Sequence, residues 1–133
     1  MNKYVLFAFV FLVTGCDHTL EPELGPPAGA LPFDPPPSYA AWWSQVEGCS
    51  GLNGDFSAVR WYQVPDATIF FESGDSKPIK GLWSPHANTI TLAGRLVDDS
   101  MLVRHEQLHA LLRSVDHPSL YFVTRCGTLV YPG

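Results

Sequence analysis

Seven of the chain's twelve prolines fall between Asp17 and Pro37, in the run DHTLEPELGPPAGALPFDPPP. This feature limits the fold more than any other. Proline fixes φ and removes a backbone donor, so a stretch this dense in Pro and Gly supplies neither the hydrogen bonds nor the periodicity of a packed element. Residues 16–37 are therefore expected to form a tether. What remains, Ser38 to Gly133, is 96 residues with no internal repeat, enough for one domain with one modest core.

Within 38–133 the pattern changes from strand-like to helical. SYAAWWSQVEGCSG has Ser38 as a candidate N-cap and glycines as stops, which predicts a short helix over about 39–48. FSAVRWYQVP and ATIFF are rich in β-branched and aromatic residues and read as strands. KGLW and NTITLAG, separated by SPHA, read as a hairpin or near-hairpin. From Asp98 or Asp99, SMLVRHEQLHALLRS contains no Gly or Pro and predicts a helix of about four turns. The expected class is α+β: a short N-terminal helix, three or four mostly antiparallel strands and a C-terminal helix carrying the site.

The first residues, MNKYVLFAFVFLVTGC, combine one Lys, a short apolar run and small residues before Cys16. The run is shorter than the roughly 20 apolar residues of a membrane span and has the layout of a secretory signal over 1–15. Val13-Thr14-Gly15-Cys16 resembles the lipobox of bacterial lipoproteins, which implies acylation of Cys16 and a lipid-anchored domain on the extracytoplasmic side of the envelope. By similarity with enteric lipoproteins, Asp17 implies retention at the inner membrane. With Cys16 used for lipid, Cys49 and Cys126 are left as an even pair in an oxidising compartment, where a disulfide is expected. The net charge is −5 and no basic cluster occurs, so a nucleic-acid partner is not expected.

The chemistry is concentrated in VRHEQLHALLRSVDHP, residues 103–118. On a helix His105 and His109 are one turn apart and project from one face, where both imidazoles can reach one ion, while Glu106 diverges by about 100°. The His105-Glu106-Gln107-Leu108-His109 pattern resembles the zincin metallopeptidases, in which a helical His-Glu-x-x-His binds Zn2+ and the Glu acts as general base. A catalytic zinc takes three protein ligands and keeps one position open. Val115 stands where the metzincin pattern has its third His, and no Glu follows Glu106 to serve as in the gluzincins. The third ligand is sought at His117 or Asp116. His117 is preferred, its spacing being similar to that of other zincin-like families, with Asp116 then orienting a histidine.

The resemblance implies a zinc-dependent endopeptidase acting on peptide or protein substrates, in which Glu106 takes a proton from the zinc-activated water. It also implies an edge strand that pairs with the substrate, for which Thr89–Ala93 is the candidate. Tyr121, Tyr131, His86 and Arg125 are unranked candidates for an assisting electrophile. The rival reading is a lipoprotein that binds zinc without hydrolysis and serves as an interaction module.

Overall fold

The computed structural model describes residues 25–72 and 74–133. The signal segment, Cys16 and Asp17 lie outside the described residues. Among those described, no helix is long and apolar enough to cross a membrane.

The Pro-rich stretch contributes more than a tether. Leu31–Pro32 form strand β1, antiparallel to strand β2 (Arg60–Val64), with Leu31 opposite Gln63 and Pro32 opposite Tyr62. Phe33 then sets its ring edge-on to Tyr39 and Trp61, at 6.2 and 6.4 Å between centroids. Proline density excludes a central strand but not an edge strand, where the missing donor would have faced solvent. The expectation of a tether over 16–37 is corrected accordingly from Leu31 onward.

Helix α1 runs from Pro37 to Ser50, longer at both ends than the sequence suggests. Ser38 is not its cap. The N-cap is Pro36 and Pro37 opens the helix, where a missing N–H costs nothing because first-turn donors have no intrahelical partner. Gly48 is accommodated within the helix, which ends at Gly51 in the left-handed conformation (φ 74°).

Two short strands, β3 (Phe70–Phe71) and β4 (Pro78–Ile79), pair with each other. β5 (Gly81–Ser84) and β6 (Thr89–Ala93) form the expected hairpin. Its turn places Asn88 at φ 47°. The Asn88 side chain accepts from Trp83 Nε1 and donates to the Ala58 carbonyl, each at 3.0 Å. The main sheet has the order β1-β2-β6-β5, with β2 and β6 parallel and the other two pairs antiparallel. The parallel pair arises because β5 reverses the chain before β6 returns beside β2. The class is α+β, as the sequence indicates.

Strand β6 is paired on both sides and all five of its residues are buried. It is the centre of the sheet, so Thr89–Ala93 is not the edge strand anticipated; β5 is.

Trp61, Ile90 and Trp83 align across the sheet on one face. They belong to one core with Tyr39, Trp43 and Val46 of α1 and Val103, Leu108 and Leu111 of helix α2 (Ser100–Leu112). Each large apolar side chain removed from water in this way contributes roughly 1.5–3 kcal/mol. α2 starts at Asp99, whose carboxylate accepts from the Met101 and Leu102 amides, both at 3.1 Å. Beyond α2 a π-helical segment, Leu120–Arg125, leads to Cys126, which is disulfide-bonded to Cys49.

Candidate metal centre

The end of α2 shapes the site. Arg113 takes the left-handed conformation (φ 52°) that closes the helix, its N–H donating to the His109 carbonyl. Reversal thus occurs at Arg113, five residues before Pro118. It carries Ser114 to Asp116 back past the end of α2 and brings His117 over the two helical histidines.

The Nε2 atoms of His105, His109 and His117 form a nearly equilateral triangle: 3.1 Å from His105 to His109, 3.2 Å from His109 to His117 and 3.1 Å from His117 to His105. The three residues are close enough to hold a metal ion. Zinc about 2.0–2.1 Å from three imidazole nitrogens in tetrahedral geometry requires those nitrogens to be about 3.3–3.4 Å apart. The triangle falls within about 0.3 Å of that requirement, and a tetrahedral ion seated on it would keep one vertex free.

Backbone acceptors fix the tautomers. His105 Nδ1 lies 2.8 Å from the Tyr131 carbonyl and His109 Nδ1 lies 2.8 Å from the Ser114 carbonyl. A carbonyl only accepts, so each Nδ1 carries the proton and each Nε2 presents its lone pair to the centre of the triangle. This orienting role was assigned to Asp116 from the sequence. Its carboxylate instead accepts from the Ser114 hydroxyl at 3.2 Å. His117, rather than Asp116, supplies the third nitrogen of the cluster.

Burial lowers the pKa of His109 to about 4 and also lowers that of His105, in both cases chiefly because the charged ring would be desolvated. Both are thus held neutral, the form that ligates metal. Glu106 is 4 % exposed and its carboxyl is pushed up to about 8 by burial, partly offset by the Trp83 backbone N–H. It occupies space that exists because residue 81 is Gly: a Cβ there would stand 2.5 Å from Glu106 Oε1 and 2.9 Å from its Cγ. A glycine inside a strand pattern is a signal of close approach, and KGLW carried that signal unread.

A cavity of about 640 Å3 opens onto the triad. Its walls include Ile79 to Trp83 from β4 and β5, Leu102 and Glu106 from α2, and Tyr131 and Pro132 from the last residues. Ala93 donates to the Lys80 carbonyl at 2.8 Å, and bonded pairs alternate in an antiparallel ladder. The main-chain groups of Gly81 and Trp83 therefore point away from β6 toward the cavity side. Of the four candidate electrophiles only Tyr131 borders this cavity, with its hydroxyl donating to Asp99 at 2.9 Å. His86 borders an adjoining cavity of about 400 Å3 with Thr89 and Thr91. Arg125 donates to the Ser50 carbonyl at 2.7 Å and covers the Tyr121 ring at 5.4 Å, which accounts for both as braces.

No protein-family model, no curated protein and no solved structure matches the chain. The class rests on fold and site together: an α+β domain in which three histidines from one helix and the turn after it converge closely enough to hold a metal ion. A buried carboxyl group lies beside them, in a cleft bordered by the edge of β5 that no other strand among the described residues covers.

Proposed function

We propose that this chain is a zinc-dependent endopeptidase, anchored to the bacterial envelope through acylated Cys16. The observation that carries this reading is the open-sided imidazole triangle beside a carboxyl group that is not one of the clustered donors. A purely structural zinc site closes its fourth position with a protein ligand, and no fourth His, Cys, Asp or Glu joins the cluster among the described residues.

His105, His109 and His117 would hold the ion, which supplies Lewis acidity and lowers the pKa of water in its open position to about 7. Glu106 would accept a proton from the water that attacks the peptide carbonyl and return it to the departing amine. Its position suits both halves of this exchange, because the carboxyl group borders the same cleft as the three imidazoles without being one of the clustered donors. Gly81 offers its main-chain groups and Trp83 its carbonyl along the outer edge of β5 to an extended substrate, which would pair there as an added strand. The edge strand aligns the scissile bond and the flanking apolar wall excludes competing water.

The test is metal analysis of the tag-free protein, followed by turnover of a mixed peptide library by wild type and Glu106→Gln. One equivalent of zinc with cleavage by wild type alone supports the peptidase. Zinc with no cleavage by either leaves the non-catalytic zinc-binding lipoprotein. Anchoring is tested separately: radiolabelled palmitate should enter the wild type and not Cys16→Ala.

A further inference from the structure

The three imidazoles have a fourth aromatic neighbour. The Phe122 ring centroid lies 4.9 Å from that of His105, 4.9 Å from that of His109 and 4.7 Å from that of His117. The histidine centroids are themselves 4.8, 5.0 and 4.6 Å apart. The four rings therefore sit at the corners of a nearly regular tetrahedron. Phe122 is 1 % exposed, whereas all three histidines border the cleft. The phenyl ring closes the triad from the protein side and leaves the cleft side open.

Nothing in core packing alone requires one phenyl ring to contact three ligands equally. Its placement depends on local backbone geometry. Phe122 lies in the π-helical segment, where the Cys126 amide donates to the Tyr121 carbonyl at 2.9 Å, one residue farther than an α-helix would reach. Single π-turns of this kind occur frequently at functional sites. The segment is held at its far end by the Cys49–Cys126 bridge and by Arg125 on Ser50.

We propose that Phe122 is a positioning residue of the metal centre: it fixes the tilt of all three imidazoles and bars solvent from the rear of the triad. The Nδ1 carbonyls restrain His105 and His109 within their ring planes, but hydrogen bonds do not restrain tilt well. Contact with a rigid ring on one side does. For His117 no Nδ1 partner is found among the described residues, and its ring is held instead by packing, against Phe122 on one side and against Gly133, where a Cβ would collide with the imidazole. The inference rests on the metal-binding part of the proposed function and is independent of peptidase activity.

The test uses the full chain and the metal alone. Affinity for Zn2+ is measured by chelator competition, and geometry by the visible absorption of the Co2+-loaded protein, for wild type, Phe122→Leu, Phe122→Met and Val46→Ala. Val46 is fully buried in α1 and serves as a control for general loss of packing. Outer contacts of metal ligands affect affinity by about 10–100-fold, so Phe122→Leu is expected to lose affinity in that range and to shift the Co2+ bands. Phe122→Met, which refills the volume with a polarisable chain, should recover part of both, while Val46→Ala lowers the melting temperature and leaves both unchanged. Leucine and control variants with the same affinity and the same spectrum would overturn the proposal. So would wild-type protein that binds neither ion, and that result would also remove the metal centre itself.

Discussion

At the scale of single residues, Glu106 and His109 carry opposite linkages to pH in the metal-free protein. The Glu106 carboxyl is raised to about 8 in the folded state from an ordinary value of 4.5. The folded protein keeps a proton that the unfolded chain loses, so its contribution to stability is complete below about 4.5 and is lost as pH rises to about 8. For His109, lowered to about 4 from 6.5, the contribution is present above 6.5 and fades as pH falls toward 4. Chelator-treated Glu106→Gln should therefore gain on wild type as pH rises, by on the order of a few kcal/mol at pH 9. Paired melting curves at pH 5 and pH 9 check this, and equal differences at both would contradict it. Gly81→Ala should cost more at the site than its size suggests. The added methyl would displace Glu106, so turnover is expected to fall by about 100-fold or more while zinc content is unchanged. The sequence made the placement of His105, His109 and Glu106 legible because helical periodicity alone sets it. Phe122 and the carbonyls of Ser114 and Tyr131 were not legible, since long-range packing and turn geometry bring them to the imidazoles.

At the scale of elements, α2 could be read nearly to its ends because both boundaries are local chemistry. Asp99 caps it with its own carboxylate, and the chain leaves it at Arg113. That second boundary holds a non-Gly residue at φ 52°, a conformation in which Gly is favoured by about 1 kcal/mol. Arg113→Gly should thus raise the midpoint of thermal unfolding slightly, and Arg113→Val should lower it and weaken zinc binding by displacing Ser114. The strands were less legible. TITLA has the composition of any half-buried strand, and only its pairing on both sides shows that it is central, a long-range fact absent from local pattern. β1 was hidden for a related reason, since proline content argues against most strand positions but not an outer one. The final segment acts as an element too, although it has no regular structure. Arg104 Nε donates to the Leu129 carbonyl at 2.7 Å, and His105 and Asp99 engage Tyr131. Removing residues 131–133 is expected to weaken zinc binding by about 10-fold or more, measured by chelator competition.

At the scale of the whole molecule, the bridge between Cys49 and Cys126 spans 77 residues of sequence. A loop of that length corresponds to about 4–5 kcal/mol of restricted unfolded-chain entropy, a large share of the stability of a domain this small. The Cys49→Ser/Cys126→Ser double variant should unfold at markedly lower denaturant concentration, and zinc should restore part of the difference. The pairing was readable from cysteine arithmetic; what it braces was not. All three nitrogen donors come from residues 105–117, thirteen positions of continuous chain, whereas Phe122 and the Tyr131 carbonyl, which help to orient them, come from farther along. A newly made, still unstructured polypeptide already has its donors at hand and can capture an ion before the thiols are oxidised. Because the disordered form competes for the same cation, loading would raise the melting point less than its affinity for the native state alone implies.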